Sequence, residues 1–170
     1  MTIWFTADEH YSHAKIIEHC KRPFATVEEM NETIIRNHNS VVVPGDTVWH
    51  LGDFVWKDIY TNWDSKLNGI HKFIKGNHDR QKTWPSIEEI TIEGQRIVLC
   101  HYAMRVWSAS HYGAWQLYGH SHGTLAPLGK QYDVGVDNNN FFPISFEELK
   151  EKLDNVELDF ANKLPQEERE

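Results

Sequence analysis

Five short apolar runs along this chain each stop on polar side chains of the kind that bind metals. Ile3–Trp4–Phe5 leads into Asp8 and His10, and Val48–Trp49 with Leu51 leads into Gly52–Asp53. Phe73–Ile74 runs into Gly76–Asn77–His78–Asp79, and Ile97–Val98–Leu99 into His101. The last, Trp115 with Leu117 and Tyr118, runs into Gly119–His120–Ser121–His122. Runs of this length, bounded by glycine and polar residues, predict buried strands that end in short loops.

Between the strands the period changes. A short helix is predicted from Ser12 or His13 to Cys20, broken at Arg22–Pro23–Phe24. Thr26–Val27–Glu28–Glu29 has the capping-box spacing, and Val27, Met30, Ile34 and Ile35 continue a helical stripe to about Asn39. Pro44–Gly45–Asp46 reads as a turn, and a helix over Ile59–Leu67 should stop at Asn68–Gly69. Ile87–Ile92 and Arg96–Cys100 read as a hairpin about Glu93–Gly94, with a later strand over Tyr132–Val136. Ser145 with Glu148 caps a final helix to about Leu153. Mixed strands and helices predict an α/β fold, as one domain over residues 1–154 and an acidic tail over 155–170 that frays from Pro165.

Composition narrows the function classes. The 170 residues carry 17 basic and 25 acidic side chains, a net charge of −8, and no basic stripe. Extended nucleic-acid binding is therefore not expected, because phosphate-backbone affinity comes from clustered Lys and Arg. No apolar run approaches the roughly 18 residues of a membrane span, and Met1 leads straight into a strand rather than a secretory leader. Two cysteines are too few for a disulfide framework, so a cytoplasmic setting is the expectation.

Eleven histidines are many for this length, and their placement gives them meaning. Asp8 and His10 are two apart, as are His120 and His122, and an extended segment would aim each pair to one side. Asn77 and His78 are adjacent and should point apart, one toward a metal and the other toward substrate. Gly52, Gly76 and Gly119 precede ligand positions and permit close backbone approach. In open α/β sheets, ligands bind where strand carboxyl ends converge. Carboxylates, imidazoles and an amide delivered there suit two divalent ions about 3.5–4 Å apart. Mixed nitrogen and oxygen donors favour Mn, Fe, Zn or Ni over Ca or Mg. Two such ions would add four positive charges to one cleft and reverse the field of an acidic chain toward a small phosphate ester.

Asp-x-His, Gly-Asp, Gly-Asn-His-Asp, a lone His and Gly-His-x-His, in this order, resemble the calcineurin-like metallophosphoesterase superfamily. The surrounding text, Asp8–Glu9–His10–Tyr11–Ser12–His13, Arg22–Pro23–Phe24, Asp46 to Asp53 and Pro143–Ile144–Ser145, is similar to its small bacterial and phage branch. The resemblance implies two mixed sheets packed as a sandwich with flanking helices, in α/β/β/α layers. It also implies that Asp8, His10 and His122 hold one ion, with Asp53 bridging to a second held by Asn77, His101 and His120. His78 would sit beside the scissile phosphate, oriented by Asp79. The implied chemistry is hydrolysis by a hydroxide shared between the ions, on a phosphodiester or cyclic nucleotide first and a monoester second. A non-catalytic metal-binding scaffold is the alternative from another class. Mn is the expected activating ion, with Fe, Zn or Ni possible, and the expected partner is a small phosphate ester or nucleotide.

Other residues carry weaker expectations. Arg22, Arg80 and Arg105 are candidate phosphate clamps, because the guanidinium fork matches phosphate oxygens. His13 and His50 could hold ligand histidines in position or simply pack. His111, Trp107 and Tyr112 share the Arg105 loop, where they could touch substrate. His19, His38 and His71 read as structural, Cys100 as pointing away from the ligands, and Glu9 as a spacer without a role.

Overall fold

The structure, a computed structural model, describes residues 1–157; the tail expected to fray falls outside the described residues. The elements are β1 (Ile3–Thr6), α1 (Ala14–His19), α2 (Val27–Val41), β2 (Thr47–His50), α3 (Thr61–Asp64) and β3 (Ile70–Phe73). There follow β4 (Ile87–Ile92), β5 (Gln95–Cys100), β6 (Trp115–Tyr118), β7 (Gln131–Asp133), β8 (Ile144–Ser145) and α4 (Phe146–Leu153). Two four-stranded sheets result, ordered β3-β2-β1-β8 and β4-β5-β6-β7. In the first, β1, β2 and β3 run parallel and β8 antiparallel; in the second, β5, β6 and β7 run parallel and β4 antiparallel. The expected sandwich of two mixed sheets with flanking helices is what the chain forms.

The apolar runs explain the layering. Phe5, Trp49, Leu51, Ile97, Leu99, Trp115 and Leu117 come from both sheets and pack into one core with Phe146, Leu149 and Leu153 of α4. Full burial of each such side chain contributes about 1.5–3 kcal/mol, so the sheets are held face to face by side chains that the strands cannot expose. A second core, Tyr11, Ile16, Met30, Ile34, Phe54 and Leu67, packs α1 and α2 near the loops that follow β1 and β2. With the parallel strands aligned, the carboxyl ends of β1 and β2 lie together, and so do those of β5 and β6.

Element boundaries follow their caps. Thr26 Oγ1 accepts from the Glu29 N–H, as expected, but the Glu29 carboxylate reaches the N–H of Ala25, one residue before the predicted partner. Ser145 and Glu148 form the complete reciprocal box at α4. The Ile59–Leu67 helix is reduced to the single turn α3, because Asn39 takes the Lys66 carbonyl and the Asn68 N–H. The strand predicted over Tyr132–Val136 ends at Asp133, whose carboxylate accepts the Gly135 N–H and turns the chain. Buried Gln116 and Gln131 pin the loop after His101 by bonding Tyr102 and Met104 backbone groups. No helix of the described residues is long and apolar enough to cross a membrane.

Candidate metal centre

The loops after β1 and β2 run side by side. Asp8 N–H donates to the Gly52 carbonyl, His10 N–H to Asp53 and Tyr11 N–H to Phe54, so the parallel ladder continues past the strands. Asp8 is thereby placed against Asp53. From the second sheet, Gly119 N–H bonds the His101 carbonyl and His120 N–H donates to Asp8 Oδ2 at 2.8 Å. All five loops meet at one edge between the sheets.

The backbone there is not extended. Asp8, His10, Asp53, His120 and His122 have φ of 59°, 53°, 55°, 65° and 48°. Five of the seven expected ligands are thus in the left-handed region, which costs roughly 1–3 kcal/mol each outside glycine. The two-apart pairs therefore reach the site by tight left-handed turns, not by the extended geometry expected of them. The compensation is the set of cross-loop hydrogen bonds just described.

Two groups of donors result. Donor atoms of Asp8, His10 and His122 lie within 4.8 Å of one another, as do those of Asp53, His101 and His120. Asp53 stands between the groups: its Oδ2 lies 3.6 Å from His10 Nε2 and 3.4 Å from His101 Nε2. His101 Nδ1 bonds the Leu51 carbonyl at 2.8 Å, which turns Nε2 toward Asp53 and Asn77 Oδ1, the latter at 2.9 Å. His120 and His122 separate, one to each group.

The donors fit divalent cations. Asp8 Oδ1 and His10 Nε2 are buried and have no hydrogen-bond partner among the described residues. Burial pushes the Asp8 carboxyl up to about 8, because nearby charge does not repay its loss of water. Burial likewise lowers His10 to about 2, leaving a neutral imidazole fit to ligate. Burial would raise Asp53, but His101, the His78 N–H and His10 overcome it and hold the carboxylate at about 2. The glycines shape the cradle. A Cβ at Gly119 would stand 2.5 Å from Asp8 Oδ2, and one at Gly76 would overlap the backbone and carboxylate of Asp53.

His78 faces the opening: its side chain is 36% exposed, and Nε2 lies 3.9 Å from Asp53 Oδ2. Asp79 does not orient it. The Asp79 carboxylate accepts the N–H groups of Asp53 and Gly76 at 2.8 Å and of Phe54 at 3.1 Å, stitching the loops after β2 and β3 together. Its short side chain is buried beneath the backbone it binds, while the His78 ring lies beside Trp56 at 4.7 Å.

Arg22 is not a phosphate clamp. Its side chain is fully buried, and all five N–H donors are spent on Asp137 Oδ1 and Oδ2, the carbonyls of Asp8 and Glu9, and Met30 Sδ. Arg80 and Arg105 are exposed, and neither guanidinium takes part in a hydrogen bond among the described residues. Trp107 donates its indole N–H to the Ala114 carbonyl within its own loop, whereas Tyr112 is 83% exposed. His13 meets His10 through their Nδ1 atoms at 3.2 Å and stacks on Trp56. Glu9 is no mere spacer: it is 2% exposed, and its Oε1 lies 2.6 Å from His50 Nδ1. Burial pushes the Glu9 carboxyl up to about 8 and His50 well down, so the pair is held with little net charge. Asp137, absent from the expected set, bonds His122 Nδ1 at 2.7 Å. No local pattern marks either residue, since each is defined by a partner far along the chain.

The sequence pattern of the calcineurin-like phosphoesterase superfamily domain matches residues 1–126. An uncharacterized protein of Methanocaldococcus jannaschii, MJ1445, is 35% identical over 159 residues, covering 85% of this chain and 87% of that protein. The Gene 66 protein of Mycobacterium phage L5 is 37% identical over 81 residues, 45% of this chain and 39% of its own. Among solved structures, the protein of unknown function AQ665 from Aquifex aeolicus superposes with a TM-score of 0.73 at 24% identity. That likeness, over 89% of this chain and 98% of the other, concerns the fold.

Proposed function

This chain belongs to the calcineurin-like phosphoesterase superfamily, and from that premise we propose that it is a dinuclear metal-dependent phosphoesterase acting on small phosphodiesters or cyclic nucleotides. One observation carries the reading: a single carboxylate oxygen, Asp53 Oδ2, stands between imidazoles of two separate donor groups. Asp8, His10 and His122 would hold one ion, and Asn77, His101 and His120 the other, with Asp53 shared. When bound, the ions supply an activated water and offset charge on the phosphate oxygens.

The chain's own residues do the rest. Asp79 keeps the Asp53 and Gly76 loops in register, so that Asp53 and Asn77 face one opening. His78, exposed beside Asp53, donates a hydrogen bond or a proton to the leaving oxygen, which matters most for a diester with a poor leaving group. Arg80 and Arg105, whose donors are uncommitted, are the side chains available to grip the phosphate or its substituent.

The test is a panel of mono-, di- and cyclic phosphate esters, assayed after chelation and re-addition of Mn, Ni, Zn and Mg. Diester turnover that vanishes on chelation and returns most strongly with Mn is the expected result. Preferential monoester turnover would move the substrate class. Two ions bound with no ester hydrolysed would overturn the enzyme reading in favour of a scaffold.

A further inference from the structure

Arg22 and Asp137 lie 115 positions apart in the chain, yet they form a buried bidentate pair, with Nε to Oδ1 at 2.8 Å and Nη2 to Oδ2 at 2.7 Å. The same guanidinium also grips the loop that carries Asp8 and His10. Nη2 donates to the Asp8 carbonyl at 2.6 Å and Nη1 to the Glu9 carbonyl at 3.1 Å. On its other side, Asp137 Oδ2 accepts from His122 Nδ1 at 2.7 Å. One ion pair therefore bonds Asp8 through its carbonyl, His122 through its ring, and the Glu9 carbonyl that directly precedes His10. It makes no hydrogen bond to Asp53, His101 or His120.

We infer that Arg22 and Asp137 are positioning residues for the Asp8/His10/His122 subsite alone, setting the backbone of the Asp8–Glu9 segment that leads into His10 and the ring orientation of His122. The inference rests on the metal-centre reading above. Two physical needs meet in it. Asp8 and His10 sit in left-handed conformations that their neighbours must enforce, and the Arg22 bonds to the Asp8 and Glu9 carbonyls do so from inside the loop. His122 needs one ring nitrogen fixed as a donor so that the other faces the ion, and the Asp137 oxygen fixes Nδ1. The Cys20 thiol also lies within 4.8 Å of the His122 and Asp137 donor atoms. A cation there would have to share Asp137 with the Arg22 guanidinium, so this corner acts as support rather than as a third ion site.

The experiment is titration of the metal-free full chain with Zn against a chromophoric chelator, comparing wild type with Asp137→Asn and Arg22→Lys. Asn offers a single acceptor oxygen where Asp137 serves three N–H donors, and Lys cannot span the Asp137 carboxylate and two carbonyls. Expected is one ion at wild-type affinity and one weakened about 10–100-fold, the usual effect of removing a group that supports a ligand. The unaffected subsite is the internal control. Two ions bound within twofold of wild type would overturn the inference, and so would equal loss at both subsites in a folded variant, which marks a general packing role. Failure of wild type to bind Zn would instead remove the metal-centre reading. Should both variants fail to fold, ring-nitrogen NMR of the Zn-loaded wild type decides: a protonated His122 Nδ1 is expected, and a bare one overturns the inference.

Discussion

Gly119→Ala isolates the geometry of the candidate centre without replacing a candidate ligand. The added Cβ would stand 2.5 Å from Asp8 Oδ2 and 2.6 Å from the Ala7 Cβ. Ordinary contact begins at 3.4 Å, so the shortfall against Asp8 is 0.9 Å. Ala7 cannot yield: it is fully buried, pairs with Gly135 and accepts the Val136 N–H at 3.0 Å. Gly119 has no positive φ, so the effect is steric only. The Asp8 carboxylate must therefore swing, and its 2.8 Å bond from the His120 N–H goes with it. Metal–ligand distances tolerate only about 0.2 Å, so an ion at Asp8 should bind at least about tenfold more weakly. A misplacement near 1 Å costs turnover about 100-fold. Overpacking costs about 1–3 kcal/mol, which for a chain of this size lowers Tm by roughly 2–12 °C. Calorimetric Mn titration, bis(p-nitrophenyl) phosphate turnover and a thermal melt measure all three. Two ions at wild-type affinity with turnover within threefold would show that the cradle does not constrain Asp8, and the steric reasoning would fall.

Other expectations follow from single side chains. His78→Ala should lower kcat about 100- to 10,000-fold with metal content unchanged, since only its backbone N–H bonds Asp53; elemental analysis beside the assay separates this from loss of ions. Asp79→Asn offers one oxygen to three N–H groups and should cost about 1.5–3 kcal/mol of stability, read from urea midpoints. Asp46 accepts from the Thr2 N–H, the Trp4 indole and the Val43 N–H, and the Thr2 bond first among these holds its carboxyl below the ordinary 3.8. The folded chain thus binds fewer protons there than the unfolded chain, so this stability is complete above about pH 4 and is lost as pH falls through the folded pKa. Asp46→Asn should accordingly be destabilised at pH 7, with the gap to wild type narrowing as pH falls below the ordinary 3.8. A gap that stays unchanged throughout the acid range would assign the effect to packing.

Much of this protein was legible along the chain because strands and their terminal side chains are local facts. Each run of two or three apolar residues predicted a strand, and the residues after it predicted the donor chemistry at one sheet edge. The capping residues Thr26 and Ser145 located two helix starts for the same reason, a bond spanning three positions. What pairs across the fold escaped that reading. Arg22 resembled an open phosphate clamp until Asp137, Asp8 and Glu9 were found to use its donors. Asp79 looked like the holder of His78, yet its acceptors face the backbone of Gly76 and of the Asp53 loop. Glu9 and His50, 41 positions apart, become a buried pair only once β1 lies parallel to β2. The left-handed backbone of five of the seven candidate ligands is likewise imposed by neighbouring loops, against the residues' own preference. Periodicity and residue chemistry travel with a few adjacent positions. Which donor meets which acceptor depends on how the sheets bring distant loops together.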